Sequence, residues 1–283
     1  MRTLLYTPAN TPSMMIQAQV YGADAVIFDL EDAIAPDKKL EARILLAQMF
    51  EEWDFETTEL IVRINGLDTP WWKEDLIALM GKRAFTVRVP MIETLEQVTL
   101  LDRFLNDLET ERDMVVGSTR IHILIETPKG VVNAYSLAGA SKRITALGFG
   151  AEDYCRATGI IRKGPPYTLD YVRSSLVNAA ASYGLECHDC AWGFLEDRTG
   201  LEEEARRSRS LGFCGKSVIH PDQIEIVNRV FSPTEDEINW AERILSSLSG
   251  DVHTVSGQMI DAPVEAQARR ILELHSIYTK QEE

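Results

Sequence analysis

The sequence is poor in cysteine, in long apolar runs and in positive charge. Its four cysteines, Cys155, Cys187, Cys190 and Cys214, are too few and too scattered for a disulfide framework. No apolar run approaches the roughly 20 residues that cross a bilayer, and the first residues, MRTLLYTPANTPS, lack the apolar core and cleavage site of a secretory signal. We therefore expect a cytoplasmic protein with reduced thiols and no membrane partner.

Positive charge is scarce, with 29 lysines and arginines against 44 aspartates and glutamates and a formal net charge of -15 over 283 residues. The acidic residues are spread along the chain rather than collected in a tail. Such a charge repels the phosphates of a duplex and an anionic membrane surface. We therefore expect no nucleic-acid partner.

Cys187 and Cys190 match the C-x-x-C spacing of redox and zinc motifs. They lie in a strand-like segment, however, where side chains three residues apart point to opposite faces. No second cysteine pair completes a zinc site. The spacing therefore gives little support to a redox or zinc function for this pair.

Short β-rich runs alternate with helical stretches over the first 231 residues, which indicates repeated βα units around a parallel sheet. Eight such units favour an α/β fold of the closed (β/α)8 type, a TIM barrel, over the alternative of an open doubly wound sheet. The eight runs are 3–8, 25–31, 60–65, 85–91, 121–126, 144–150, 185–190 and 215–220.

Helix starts are predicted just past several strand ends. Thr11-Pro12, Thr69-Pro70 and Thr127-Pro128 each place a capping hydroxyl before a proline at the first helical position. Thr94 followed by Gln97 has the spacing of a capping box.

Residues 232–283 follow the predicted barrel domain, 1–231, as a second segment. Ser232-Pro233 predicts the start of one helix, with Ser232 as its cap, and Pro263 opens a last helix. A barrel closed by eight strands does not need this segment for its core. We therefore expect a helical extension that acts as a lid or as a subunit contact.

Polar residues collect at the carboxyl ends of the predicted strands, where barrel enzymes carry their chemistry. Glu126 and Asp153 follow adjacent strands, and two carboxylates at one rim repel each other unless they are protonated or bridged by a cation. Mg²⁺ takes one or two protein carboxylates and leaves other positions to water and substrate. The alternative is that both carboxylates cap helix amino termini, which favour negative charge.

Arg63 lies in an otherwise apolar run, where an unpaired guanidinium is costly to bury. Either Glu31 or Asp32 from the neighbouring strand pairs with it, or its fork holds a substrate carboxylate. His220 at the last strand end is a candidate general base, but a hydrogen-bonded structural role is the commoner one for such a histidine.

Several long stretches resemble, in order, the motifs of the citrate lyase beta-subunit group in the HpcH/HpaI aldolase superfamily. The resemblance continues to MIDAP (residues 259–263) and covers nearly the whole chain. It implies a (β/α)8 barrel, homotrimeric or a multiple of that, which cleaves a carbon–carbon bond in an acyl-CoA thioester with Mg²⁺, or Mn²⁺ as a substitute. The stretches are RTLLYTPANTPSMM, DAVIFDLEDAIAPDKKLEAR, VRINGLDTPWW, ILIETPKGVVNA, ALGFGAEDY and LGFCGKSVIHPDQIEIVNRVFSPTEDEI.

The resemblance also implies roles for individual residues. Glu126 and Asp153 match the family's magnesium ligands, and Asp32 matches an aspartate that supports the metal's water shell. Arg63 matches an arginine that holds substrate oxygens beside the metal. Asp261 matches an aspartate that a neighbouring subunit contributes for proton transfer in malyl-CoA and citramalyl-CoA lyases.

One position departs from the family pattern, because Met91 stands where lysine is usual, which puts the thioester contacts and the substrate choice in question. Arg2 is a candidate contact for a coenzyme A phosphate.

Malyl-CoA, citramalyl-CoA and citryl-CoA differ only by small groups, and the sequence does not show which of them is the substrate. The alternatives are a citrate lyase subunit whose thioester is presented by an acyl-carrier protein, a thioesterase on the same scaffold, and a non-catalytic binding protein.

Overall fold

The computed structural model describes residues 1–53, 55, 58–163, 167–247, 254–255 and 258–282. The chain forms two compact units, Met1–Val230 and Phe231–Glu283. None of the described helices is both long enough and apolar enough to cross a membrane.

The first unit is a closed barrel of eight parallel strands, as the sequence predicts. Each strand pairs with the next in chain order, and β8 returns to β1, where Leu4 lies opposite Ser217. The strands are β1 (Thr3–Pro8), β2 (Ala25–Asp29), β3 (Glu59–Arg63), β4 (Thr86–Val89), β5 (Arg120–Ile125), β6 (Ile144–Phe149), β7 (Glu186–Asp189) and β8 (Gly215–Val218).

Helices follow the strands, as expected of βα units. Their buried faces carry aliphatic side chains such as Leu46, Leu105 and Leu176, none of which is exposed to solvent. The helices of this unit are α1 (Pro12–Gln17), α2 (Lys39–Glu52), α3 (Trp72–Leu79), α4 (Leu95–Glu111), α5 (Pro128–Ala138), α6 (Ala151–Thr158), α7 (Asp170–Ala181), α8 (Arg198–Leu211) and α9 (Ile224–Phe231).

Several strands end earlier than their apolar runs suggest. β2 ends at Asp29 because the Asp29 carboxylate accepts hydrogen bonds from the backbone N–H groups of Glu31 and Ala33 and turns the chain. β8 ends at Val218, and the side-chain oxygen of Gln223 accepts from the N–H of Ile219. At both ends, hydrogen bonds between a polar side chain and backbone N–H groups therefore take the place of further hydrogen bonds between strands.

Two of the predicted helix starts are confirmed. The Thr127 hydroxyl accepts from the Gly130 N–H at the start of α5, and Thr94 and Gln97 form a reciprocal capping box on α4. A third start is confirmed in position: Thr11 is the N-cap residue of α1, which begins at Pro12, although the Thr11 hydroxyl makes no capping hydrogen bond. The fourth is wrong, because Thr69 donates to the Gly66 carbonyl and α3 begins only at Trp72.

The second unit contains α10 (Glu235–Ser247), the short strands β9 (Thr254–Val255) and β10 (Gln258–Met259), and α11 (Ala262–Glu282). The predicted cap at Ser232 is wrong, because α10 starts later and Thr234 exchanges capping hydrogen bonds with Glu237. α10 and α11 pack through a small apolar cluster of Ala241, Ile244 and Ala268.

The capping box on α4 gives a test of local stability. Replacing Thr94 by Ala removes the acceptor for the Gln97 N–H and is expected to lower the free energy of unfolding by about 1 kcal/mol. Thr99→Ala, on the exposed face of the same helix, is the matched control and should change it by less than about 0.5 kcal/mol. Denaturant unfolding measures both, and equal effects would contradict the capping assignment.

Candidate active site

A cavity of about 420 Å³ opens at the carboxyl ends of the barrel strands. It brings together Arg63, Asp32, Glu126 and Asp153, which the sequence predicts as site residues. Its walls combine these charged groups with apolar side chains, as is typical of small-molecule sites. The lining includes Tyr6, Thr7, Pro8, Met14, Asp29, Ala33, Leu124, Phe149, Gly150, Ala151, Glu152, Cys190, Ala191, Ser217 and Ile219.

Glu126 follows β5 and is only 4% exposed. Its Oε2 accepts a hydrogen bond of 2.9 Å from the backbone N–H of Met91. Burial raises the pKa of Glu126, and the nearby Asp153 adds to this, although the Met91 N–H and Arg63 oppose it. A cation beside this carboxylate would relieve the cost of keeping it ionised away from water.

Met91 offers its backbone to Glu126 in an unusual conformation. Its φ of 56° lies in the left-handed region, which is uncommon for a residue other than glycine. The second residue after β4 therefore supplies an N–H donor to the candidate metal ligand, whatever its side chain. The loss of the lysine expected at position 91 leaves this contact in place.

The Glu126 carboxylate packs against the backbone at Gly150, where there is no side chain. A β-carbon at position 150 would overlap the Glu126 carboxylate, so the backbone between β6 and α6 can approach only because the residue is glycine. The sequence reads ALGFGAED at this point, and this glycine is the signal for the close approach.

Asp153 lies in the first turn of α6, where the helix dipole favours a negative charge. Its Oδ1 lies 2.6 Å from Nη2 of the exposed Arg156. The helix-capping alternative therefore accounts for part of its environment, but not for Glu126, whose partner is the Met91 N–H. Two carboxylates on one cavity wall, one of them buried, remain available as hard oxygen ligands.

The main partner of Arg63 is Asp29, whereas the sequence suggested Glu31 or Asp32. Its Nε and Nη2 donate to the two Asp29 oxygens at 2.7 and 2.6 Å, while Nη1 lies 2.9 Å from Glu31 and 3.2 Å from Asp32. Burial alone would raise the pKa of Asp29, but the bidentate Arg63 lowers it below its usual value. Asp29 lies directly opposite Arg63 in the β2–β3 register, which is the signal that sequence reasoning missed.

Glu31 behaves differently from Asp29. Burial raises its pKa to about 8; the Arg63 guanidinium opposes this shift, and the neighbouring carboxylates Asp32, Glu126 and Asp29 add to it. The site therefore favours the neutral form of Glu31, which limits the negative charge around Arg63.

Tyr6 is a cavity residue that sequence reasoning also missed, because it reads there as an ordinary strand aromatic. Its ring lies 4.8 Å from the Arg63 guanidinium carbon and 5.7 Å from that of Arg88, so that it packs between two cations. Burial raises the pKa of its phenol, and the two guanidinium groups oppose the shift.

Three other sequence candidates lie elsewhere. Arg2 is 2% exposed at the amino-terminal end of β1 and donates to Asp24 at 2.9 Å, so its guanidinium is not available to a coenzyme phosphate. His220 accepts the Asp222 N–H through Nδ1 and caps the short turn after β8. Asp261 belongs to the second unit, where its carboxylate accepts from the Val264 N–H at the start of α11.

The chain is similar in sequence to a known protein family and to individual members of it. The profile described as HpcH/HpaI aldolase/citrate lyase matches residues 2–221. The citrate lyase subunit beta of Leuconostoc mesenteroides subsp. cremoris is 37% identical over 279 residues, covering 96% of this chain and 92% of that protein. A (3S)-malyl-CoA thioesterase of Cereibacter sphaeroides is 33% identical over 246 residues, covering 87% of this chain and 82% of that protein.

A solved structure is similar over nearly the whole chain. Protein CitE of Mycobacterium tuberculosis, in complex with magnesium, acetoacetate and coenzyme A, has a TM-score of 0.79 and 29% sequence identity. The match covers 97% of this chain and 98% of that one.

The raised pKa of Glu31 predicts a pH dependence of stability. The folded chain binds this proton more tightly than the unfolded chain, so between pH 4.5 and 8 the free energy of unfolding falls as pH rises. Glu31→Gln should flatten the curve in this range, whereas the exposed Asp37→Asn should not. Denaturant unfolding in chelator across the range tests this, and an unchanged slope in Glu31→Gln would refute it.

Proposed function

Because the chain belongs to the HpcH/HpaI aldolase/citrate lyase family, a family of carbon–carbon lyases, we propose that it cleaves a malyl-, citramalyl- or citryl-type acyl-CoA thioester to acetyl-CoA and a 2-oxo acid. The observation that carries this proposal is the cavity in which two carboxylates, Glu126 and Asp153, face a rigidly held Arg63. Such a site pairs cation ligands with a binding group for a carboxylate or enolate.

Glu126 and Asp153 would hold the Mg²⁺ ion, with Asp32 supporting its water shell. The residues fit this role, since they offer hard oxygen ligands and Gly150 leaves room for the buried carboxylate. When bound, the ion supplies Lewis-acid polarisation of the substrate's hydroxyl and carboxylate oxygens. Mn²⁺ would serve as a substitute because it accepts the same oxygen ligands.

Arg63 acts as the fixed cation of the site. Asp29 holds the guanidinium by two hydrogen bonds, so little side-chain freedom is lost when a substrate binds. The raised pKa of Glu31 favours its neutral form, which would limit the negative charge that an anionic acyl group meets near Arg63. Arg63 would therefore hold the substrate carboxylate or balance the negative charge of the enolate.

The proposed cleavage breaks the bond between the hydroxyl-bearing carbon and the carbon next to the thioester. The hydroxyl would give its proton to a water molecule and become the carbonyl of the 2-oxo acid, and the bond's electron pair would pass to the thioester enolate, which takes up one proton in return. Asp261, contributed by a neighbouring copy of the chain, would then protonate the enolate carbon to give acetyl-CoA. Residues 232–283 would accordingly serve as lid and subunit contact in a trimer or a multiple of it, beside a catalytic domain of residues 1–231.

Two alternatives have specific support. The 37% identity to a citrate lyase subunit beta supports a subunit that acts on a thioester presented by an acyl-carrier protein. The 33% identity to a (3S)-malyl-CoA thioesterase supports hydrolysis, in which free coenzyme A is released instead of acetyl-CoA. The products separate these reactions.

The experiment offers the purified chain malyl-CoA, (S)-citramalyl-CoA and citryl-CoA with Mg²⁺ and follows acetyl-CoA, free coenzyme A and the 2-oxo acid. Equal release of acetyl-CoA and 2-oxo acid, stopped by a chelator, is the expected result. Free coenzyme A without acetyl-CoA would replace the proposal by the thioesterase, and turnover only with an added acyl-carrier protein would replace it by the carrier-dependent subunit.

Glu126→Gln should lower kcat by at least about 100-fold and weaken Mg²⁺ binding, because it removes the charge of the buried ligand. Glu111→Gln, an exposed position at the end of α4, is the control and should leave both unchanged. Assay and calorimetric Mg²⁺ titration measure the two effects. Full activity in Glu126→Gln would contradict its assignment as a ligand.

Gly150→Ala tests the same ligand without changing any charge. The added methyl group would displace the Glu126 carboxylate, so Mg²⁺ affinity should fall by about tenfold or more while the fold is kept. Gly193→Ala is the matched control, because a β-carbon there meets no atom within 4 Å. Equal Mg²⁺ affinities in the two variants would show that Glu126 does not need this space.

A further inference from the structure

A second cluster of metal-ligating side chains lies at the amino-terminal end of the barrel, away from the cavity. Glu186 begins β7, His188 lies two residues further along that strand, and Cys214 directly precedes β8. One ligand atom from each, a carboxylate oxygen, an imidazole nitrogen and the thiol sulfur, lies within 4.8 Å of the other two. The barrel topology brings these residues together from separate segments of the chain.

His188 is the buried centre of this cluster. His188 is 0% exposed, yet neither of its ring nitrogens makes a hydrogen bond of acceptable geometry. Its Nε2 lies 2.9 Å from Glu186 Oε2, which also lacks such a bond. These two atoms form an ion pair when the imidazole is protonated, and a divalent cation would take the place of the proton that they share.

The two carboxylate oxygens of Glu186 have different neighbours. Glu186 Oε1 is taken by the amino group of Met1 at 3.3 Å, whereas Oε2 points to His188. The Cys214 sulfur lies 3.1 Å from the Cys187 carbonyl oxygen. Glu186 is 41% exposed in its side chain, which gives the otherwise buried cluster a path to solvent.

We propose that Glu186, His188 and Cys214 bind a borderline-soft divalent cation of the Zn²⁺ type. A thiolate and an imidazole are ligands that Zn²⁺ prefers and Mg²⁺ does not, so this site differs in chemistry from Glu126 and Asp153. Tetrahedral zinc needs ligand atoms roughly 3.3–3.6 Å apart, and the three ligand atoms here lie within 4.8 Å of one another, so side-chain adjustments would bring them to that spacing. Water would complete the coordination.

The other such cluster among the described residues does not support the same inference. Asp189, Cys190 and Glu204 also lie close together, but Arg173, Arg162 and Lys216 already neutralise them. Lys216 Nζ, for example, lies 3.0 Å from Asp189 and 2.7 Å from Glu204. Three cations within the cluster would repel a metal ion.

The position of the proposed site points to a structural role. Residues at the amino-terminal face of such barrels contribute to stability, whereas those at the carboxyl-terminal face carry catalysis. A bound ion would join β7 to the segment that leads into β8. Zn²⁺ should therefore raise the Tm without being required for turnover.

Titration of the metal-free chain with Co²⁺ tests the proposal independently of activity. Cobalt bound to a thiolate gives a charge-transfer band in the near ultraviolet, which cobalt at the carboxylates of Glu126 and Asp153 does not give. The expected result is such a band at one equivalent, removed by Zn²⁺ and retained in Glu126→Gln. Absence of the band in the unchanged chain would overturn the proposal.

Variants assign the ligands. Cys214→Ser should abolish the band and weaken Zn²⁺ binding by more than about tenfold, since even the loss of residues that only support a ligand costs roughly 10–100-fold. Cys187→Ser, a buried cysteine outside the cluster, is the control and should keep the band, with Cys155→Ser in reserve if it does not fold. A band that persists in Cys214→Ser, or a Tm unchanged by Zn²⁺ in the unchanged chain, would overturn the proposal.

Discussion

The buried ion pair between Asp29 and Arg63 sets the arrangement of the cavity. Asp29 ends β2, turns the chain through two backbone hydrogen bonds, and at the same time holds the guanidinium from β3. The energy of such a pair depends on its geometry, because two charges removed from water must compensate each other closely. The parallel register that puts these residues opposite each other therefore also positions the cation of the site.

Much of this could be predicted from the sequence. The alternation of β-rich and helical segments predicts the closed barrel, and the acidic residues after the strands predict the carboxylates that meet at its rim, Glu126 and Asp153. The capping box could be predicted because its two residues, Thr94 and Gln97, are only three positions apart in the sequence. Local patterns of this kind need no tertiary information.

What could not be predicted depends on contacts between distant segments. The pairing of Arg63 with Asp29 needs the strand register, and the role of Gly150 needs the direction of the Glu126 side chain. The sequence makes Arg2 a candidate phosphate contact, but in the fold its guanidinium donates to Asp24, which lies 22 residues further along the chain. The C-x-x-C spacing of Cys187 and Cys190 is visible in the sequence. The proximity of Cys214 to His188 is not, because the two residues are brought together only by the fold.

The left-handed backbone of Met91 has a consequence for how this site can diverge. Glu126 is held there by a main-chain N–H, which every residue except proline provides. The side chain at position 91 is thereby uncoupled from the orientation of Glu126. Substitutions at position 91 can therefore change the side chain beside β4 while Glu126 keeps its hydrogen-bond donor, so that the two can vary independently.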